Sequence, residues 1–90
     1  MTDFNPNTLT INAIFDKKSK RYDTPFFASS DLFAKRRYLI MANEEKSPLQ
    51  MWKNDFELHK LGTFDTGNGK CTNKPEVLLT GEQVPKMEVK

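Results

Sequence analysis

The chain has 90 residues, of which 37% are hydrophobic and 29% charged, and its formal net charge is +2 at pH 7. This length predicts one domain, residues 1–90, with a modest core, and no apolar run approaches the roughly 20 residues of a membrane span. We expect neither a signal peptide nor membrane association. The single Cys71 cannot form an internal disulfide, so a reducing, intracellular setting is expected.

The first part of the chain is expected to form a hairpin. Residues 1–7 are polar and predict a frayed end, whereas the alternating residues 8–15 predict a half-buried strand. A basic loop, residues 17–21, leads to a second strand over residues 22–27, which Pro25 places at a sheet edge or interrupts. Phe26 and Phe27 would point to opposite faces, so that one enters the core and the other must contact a helix, a partner or a ligand. We expect the helix that follows to cover this second ring.

A helix is predicted over residues 31–42, because Ser29, Ser30 and Asp31 are all favourable N-caps. At about 100° per residue, the apolar arc that should face the sheet holds Leu32, Phe33, Leu39, Ile40 and Met41. Lys35 and Ala42 fall opposite this arc, and Tyr38 falls near the outer side. Arg36 falls inside the arc, so it is expected to run along the core edge or to pair with a carboxylate.

The second half predicts another hairpin. Residues 55–64 form a strand with Phe56 and Leu58 on one face and Glu57 and His59 on the other, and Gly62 predicts a bulge. Asn68-Gly69 predicts the turn, Cys71 begins the return strand, and residues 77–79 are a candidate extra short strand. Residues 81–90 form a polar tail, frayed over 85–90. The fold class is therefore α+β: a small antiparallel sheet of two hairpins with one helix packed on it, in the order ββαββ.

Positive charge is concentrated in one quarter of the chain. Residues 17–37 hold seven basic and two acidic residues, a net charge of +5, interleaved with aromatic rings. Cations that follow phosphates and rings that stack on bases are typical of proteins that bind single-stranded nucleic acid. The predicted nucleic-acid-binding residues are Lys17, Lys18, Lys20, Arg21, Tyr22, Phe26, Lys35, Arg37 and Tyr38.

Two alternatives stay open for this segment. The cations can simply be solvated, or the chain can be a protein-interaction module that recruits a partner strand at the sheet edge marked by Pro25.

His59 and Cys71 are the only histidine and cysteine and cannot form a closed zinc site alone. No catalytic constellation is present, so we expect no enzymatic activity, no metal and no cofactor.

The order and spacing of several short motifs are distinctive. They are Phe15-Asp16, Tyr22-x-x-Pro25-Phe26-Phe27, Ala34-x-Arg36-x-Tyr38, Asp55-Phe56-x-Leu58-x-x-Leu61-Gly62-x-Phe64-Asp65, Gly69-Lys70, and Pro75 followed by Leu78 or Leu79. Over residues 11–84 this pattern resembles the small non-structural protein of gokushovirus-like microviruses, which are single-stranded DNA phages. The chain departs from it at Thr24, at residues 52–54 and at Arg37.

The resemblance implies a role without established enzymatic activity. It implies binding of DNA in genome replication, or in the switch to making and packaging single strands, within the host cell cytoplasm. The partners implied are single-stranded DNA and a phage or host replication protein, and a homodimer is left open.

Overall fold

The computed structural model describes residues 7–83 and confirms the α+β class, with five antiparallel strands and one long helix. The elements are β1 (Thr8–Asp16), β2 (Arg21–Tyr22), β3 (Phe26–Ala28), α1 (Asp31–Ala42), α2 (Pro48–Met51), a 3-10 turn (Lys53–Asp55), β4 (Phe56–Asp65), β5 (Glu76–Thr80) and a 3-10 turn (Gly81–Gln83). The predicted frayed ends lie outside the described residues, except for Asn7, whose carbonyl accepts hydrogen bonds from the Thr66 amide and hydroxyl.

The sheet is built around β1 and β4. The strand order is β2-β1-β4-β5, and β3 also pairs with β1. β1 and β4 pair along their whole length, from Thr8↔Asp65 to Asp16↔Phe56. The register shifts between Ile11 and Asn12, opposite Gly62, and this confirms the predicted bulge. These two central strands fix which side chains share each face of the sheet.

The predicted second strand is not continuous. It divides into the two-residue β2 and the three-residue β3, with Pro25 in the gap between them. Both pieces pair only with β1, so the prediction of an interrupted edge strand at Pro25 is confirmed. The physical reason is that proline has no amide hydrogen to give to the ladder.

Helix α1 has the predicted bounds, Asp31–Ala42, and Ser30 is its N-cap. The Ser30 hydroxyl accepts a hydrogen bond from the Phe33 amide at 3.3 Å, which satisfies one of the free amides of the first turn. Asp31 at the N-terminus suits the positive end of the helix dipole, and it also forms an ion pair with Lys60 at 3.1 Å.

The face that α1 turns to the sheet is not the predicted one. The buried stripe is Ala34, Tyr38 and Ala42, while Leu39 and Met41 flank it and are half-buried. Leu32, Phe33 and Ile40 are exposed, so the predicted arc is wrong for these three residues. Arg36 is also exposed, so its predicted place at the core edge is wrong. Tyr38, predicted near the outer side, is fully buried.

The core lies between α1 and one face of the sheet. Its buried members are Ile14 of β1, Leu58 of β4, Leu49 of α2, and Ala34, Tyr38 and Ala42 of α1. The segment around Leu49 is thus one helical turn that closes one end of the core. Phe56 and Leu58 point to this face and Glu57 to the other, as predicted, although Asp55 lies in a 3-10 turn rather than in the strand.

The second hairpin follows the predicted turn. Gly69 adopts the left-handed conformation, with φ at 76°, and the Asp65 amide donates to the Lys70 carbonyl. The return begins as a single bridge between Phe64 and Cys71 and becomes regular only at β5. The candidate extra strand at residues 77–79 is therefore the central part of β5, which pairs with β4.

Candidate nucleic-acid interface

One face of the sheet carries no helix within residues 7–83, since both helices contribute to the core on the other face. Cross-strand partners point their side chains to the same side of a sheet. Four such pairs occupy the uncovered side: Phe15↔Tyr22, Ala13↔His59, Ile11↔Phe27 and Leu9↔Phe64. We call this side the open face, with Phe15, Tyr22, Phe27, His59 and Phe64 as its rings.

Three rings form a cluster at one end of the open face. The centroids of Phe15 and Tyr22 are 4.8 Å apart, and Phe15 stacks on His59 at 5.0 Å with an interplanar angle of 23°. Tyr22 meets His59 edge-on at 5.3 Å. Aromatic pairs in this range of separation attract one another beyond the area that they bury. The cluster therefore holds Tyr22, which is 48% exposed, in a defined position.

Hydrogen bonds fix the same cluster. The Tyr22 hydroxyl lies 2.8 Å from Nδ1 of His59, and Nε2 of His59 lies 2.9 Å from Oε1 of Glu57. An ionised carboxylate only accepts hydrogen bonds, so Nε2 of His59 must carry the proton of the hydrogen bond to Glu57. In the neutral imidazole Nδ1 then accepts a hydrogen bond from the Tyr22 hydroxyl. An exposed ring with so little freedom loses little entropy when a ligand stacks on it.

A second ring pair lies farther along the open face. Phe27 of β3 and Phe64 of β4 have centroids 5.7 Å apart, and Phe27 is 53% exposed. The expectation that the helix would cover the second ring of the Phe26-Phe27 pair is wrong, because Phe27 points away from α1. Phe26 is the half-buried ring, on the core side, with the Arg37 guanidinium carbon 4.7 Å from its centroid.

The basic loop continues directly from the first ring cluster. It joins Asp16 to Arg21, and these two residues are paired next to Phe15 and Tyr22. The Asp16 carboxylate accepts from the amides of Lys18 and Ser19, at 2.9 and 3.4 Å, which shapes the turn. Lys20 has a positive φ of 59°. The exposed side chains of Lys17, Lys18 and Lys20 form none of the ion pairs found in residues 7–83.

The core side of the same loop has the opposite character. A cavity of about 430 Å³ lies there between the loop, the end of α1 and α2, with Ile14, Leu49 and Phe56 in its lining. Asp16, Asp23 and Glu44 also line it, together with Arg21. The lining thus carries more carboxylates than guanidinium groups, and this negative charge disfavours a phosphate chain on this side. The open face beside the loop is less acidic, since the carboxylate of Glu57 there is bound to His59.

The helix cations do not join this surface. Lys35 and Arg37 are two residues apart, about 200° around the helix, so they lie on opposite flanks of α1. Arg37 packs on Phe26, on the core side of the sheet. Tyr38 is fully buried and cannot stack on a base in this conformation. Of the predicted set, the structure thus brings together Lys17, Lys18, Lys20 and Tyr22, and it places Arg21, Phe26, Lys35, Arg37 and Tyr38 elsewhere.

Four rings of the open face were missing from the predicted set: Phe15, Phe27, His59 and Phe64. The alternation of side chains along β1 could have identified part of the open face. Residues two apart on a strand share one side of the sheet, so Phe15 must lie on the same side as Leu9, Ile11 and Ala13. Pairing of Phe15 with Tyr22 across a hairpin would have added the first cluster. Phe64 could not be placed so simply, since the bulge at Gly62 reverses the alternation on β4.

Other kinds of site are not found in the described part of the chain. Residues 7–83 contain no group of three or more His, Cys, Asp or Glu side chains that could hold a metal ion. None of the helices in the same range is long and apolar enough to cross a membrane.

Comparison with known families agrees with the phage resemblance. The model of the family described as phage ORF5 protein matches residues 9–84. The chain belongs to this phage protein family. The matched segment contains nearly all of β1 and extends past β5, so it includes the open face and the basic loop. No curated protein and no solved structure matches the chain.

Proposed function

We propose that this chain is a non-catalytic accessory protein of a microvirus that binds single-stranded DNA across the open face of its sheet. The observation that supports the proposal is the exposed ring of Tyr22, held by His59, next to a basic loop whose lysines form none of the ion pairs found in residues 7–83. Single strands are favoured over duplex because only unpaired bases offer their faces for stacking. The chain would act in the host cell cytoplasm, in genome replication or in the switch to single-strand synthesis and packaging.

The two ring clusters give the proposed path of the strand. His59 and Phe64 are five residues apart on β4, which corresponds to roughly 17 Å along a strand. A bound DNA strand would begin at Lys17, Lys18 and Lys20, stack on Tyr22 and reach Phe27. Stacking on an aromatic side chain contributes about 1–3 kcal/mol per base and tolerates any sequence. Little sequence preference is therefore expected.

The proposal is tested with a labelled single-stranded oligonucleotide of about 12 nucleotides, a length within the site sizes known for small single-strand binders. We expect the affinity to fall as salt rises. Replacing Lys17, Lys18 and Lys20 with Ala should flatten the slope of log affinity against log salt by up to about 2, since each phosphate contact contributes about 0.7. No binding at low salt, or an unchanged slope in this variant, would contradict the proposal.

Two aromatic variants form a matched pair for the same assay. Phe27→Ala should weaken binding by about 5- to 150-fold, the equivalent of one lost stacking contact. Phe33→Ala is the control, because Phe33 is 52% exposed, almost as much as Phe27, but lies on the outer side of α1. Equal losses in the two variants would show that the open face is not the binding surface.

The alternative function, recruitment of a partner strand from a phage or host replication protein, concerns the sheet edges. The structure disfavours it at Pro25, because β2 and β3 are short and interrupted there, which blunts an edge. The observation that favours it is β5, a five-residue strand whose outer side pairs with no other strand of the described chain. Capture of partners from infected cells after nuclease treatment separates the two: partners that survive favour the strand-recruiting alternative.

A further inference from the structure

The outer side of α1 exposes large apolar side chains that the fold does not use. Leu32, Phe33 and Ile40 are each more than half exposed. Leu32, Arg36 and Ile40 follow one another at intervals of four residues, which is the spacing of a ridge along a helix. We call these four residues, Leu32, Phe33, Arg36 and Ile40, the α1 ridge. It lies on the layer opposite the open face, so the proposed DNA path does not cover it.

The α1 ridge is also positively charged, and within residues 7–83 no acidic side chain neutralises it. The Arg36 guanidinium carbon lies 5.8 Å from the Phe33 ring centroid, and Arg36 takes part in none of the ion pairs found in residues 7–83. Asp31 is the one acidic residue of α1, and it is bound to Lys60. A partner that covers the ridge must therefore bring its own negative charge opposite Arg36.

A second copy of this chain does not meet that need. Leu32 and Ile40 lie symmetrically on either side of Arg36, so antiparallel packing of two ridges about a two-fold axis would place Arg36 against Arg36. Like charges brought together and desolvated at the centre of a contact are strongly unfavourable. An amphipathic helix would instead cover the α1 ridge with its apolar side chains, and a central Glu or Asp of that helix would pair with Arg36.

We propose that the α1 ridge docks an acidic amphipathic helix of another protein, in the mode in which a partner helix lays its apolar face on a hydrophobic surface. DNA on the open face and a protein on the α1 ridge would then be bound on opposite layers. The chain would thereby connect a single strand to a protein that carries the acidic helix. This docking does not depend on DNA binding, because the two surfaces share no residue.

The test uses a synthetic amphipathic peptide of about 18 residues, long enough to form a helix, with leucines on one face and glutamates beside them. A second peptide carries lysines in place of the glutamates. We expect the glutamate peptide to bind the full chain and the lysine peptide not to bind. Ile40→Asp and Arg36→Glu should each weaken binding of the glutamate peptide at least about tenfold. Lys35→Glu is the control, because it makes the same charge change on a flank of α1 outside the ridge.

Three outcomes overturn the proposal. The first is that the glutamate peptide does not bind, or binds no better than the lysine peptide. The second is that sedimentation shows a dimer of the unmodified chain that Ile40→Asp dissociates, which would make a second copy the occupant. The third is that Ile40→Asp, with an unchanged circular dichroism spectrum, loses affinity for the single-stranded oligonucleotide. In that case the ridge belongs to the DNA surface.

Discussion

Tyr38 shows at the scale of one residue how burial sets chemistry. Its side chain is fully enclosed between α1 and the sheet, and its hydroxyl has no hydrogen-bond partner among residues 7–83. Burial, and secondarily the negative charge of Glu57, raises the pKa of Tyr38 from 10.0 to about 12. Ionisation of an enclosed phenol is unfavourable because the charged form loses its hydration. Tyr38 is therefore a packing residue that stays neutral, rather than a stacking platform.

The raised pKa of Tyr38 predicts a loss of stability at alkaline pH. Below pH 10 the phenol is protonated in both the folded and the unfolded chain, so its contribution is fully present. Between pH 10 and about 12 only the unfolded chain ionises, and the free energy of unfolding should fall by about 3 kcal/mol. Denaturant unfolding across this range, compared with Tyr38→Phe, isolates the effect, because all other titrating groups remain in both proteins. Parallel curves for the two proteins would contradict the expected pKa.

The same comparison has a second readout at neutral pH. A buried hydroxyl without a partner costs desolvation free energy that a phenyl ring does not. Tyr38→Phe should therefore be as stable as the unmodified chain or more so. A loss of more than about 1 kcal/mol would show that the hydroxyl makes a hydrogen bond that stabilises the fold.

At the scale of elements, the orientation of α1 is the feature that sequence periodicity misjudged. The predicted arc holds the large aliphatic side chains, but Ala34, Tyr38 and Ala42 form a second apolar stripe on the other side, so hydrophobicity alone does not select the buried face. The face that packs carries small side chains at both ends, Ala34 and Ala42, with Tyr38 between them. Small residues let a helix approach a sheet closely, and one large ring then fills the space between the layers. The exposed position of Arg36 removes the reason to expect that it stabilises the core.

The bulge in β4 gives a prediction at the same scale. A Cβ atom at Gly62 would overlap the backbone carbonyl of Thr72 in the returning segment, which cannot give way without breaking its pairing with β4. Gly62→Ala should therefore lower the free energy of unfolding by about 1–3 kcal/mol, the usual cost of overpacking. Gly67→Ala is the control, since a Cβ atom there would meet no backbone atom and would approach only side chains, the Asp65 carboxylate at 3.2 Å and the Asn7 amide at 3.9 Å. Equal stability of the two variants in denaturant unfolding would show that the return segment can move.

At the scale of the whole molecule, the structure has two layers, and each layer exposes a different kind of surface. One layer is the five-stranded sheet, with rings on its open face, and the other is formed by the helices, with the α1 ridge on its outer side. The buried core between the layers is small, and several large apolar side chains remain exposed on both outer surfaces. Exposed apolar surface of this kind commonly marks binding sites. This arrangement is the physical basis for proposing two ligands on opposite sides.

The sheet topology predicts an order of local stability. β1 pairs with other strands on both of its edges, and β4 pairs with β1 and β5, whereas β5 pairs on one edge only. Amide hydrogen exchange should therefore be slowest in β1 and β4, intermediate in β5, and fastest in the basic loop. The measurement is native-state exchange followed residue by residue. Absence of slow amides in both 9–15 and 56–64 would contradict the fold itself.

Short stretches of sequence determined much of the secondary structure of this protein without help from the tertiary structure. The start of α1 follows from its serine cap, the interrupted edge follows from Pro25, and the β4 bulge and the turn after it follow from Gly62 and Gly69. These features depend on one or two residues and on backbone geometry, so neighbouring sequence is sufficient. Strand alternation likewise allows only two choices of face, and it was correct for Phe56, Glu57 and Leu58.

Only the tertiary structure decided which face of α1 is buried and which aromatic rings remain outside the core. Either side of this helix offers apolar side chains, so the choice depends on the width of the gap above the sheet, which Ala34, Tyr38 and Ala42 fill together. The register of β3 on β1 placed Phe26, opposite Asn12, on the core side beneath Arg37, and it left Phe27, opposite Ile11, on the open face. The division of the cations between two layers has the same origin, because adjacency along the chain does not specify the layer on which a side chain ends.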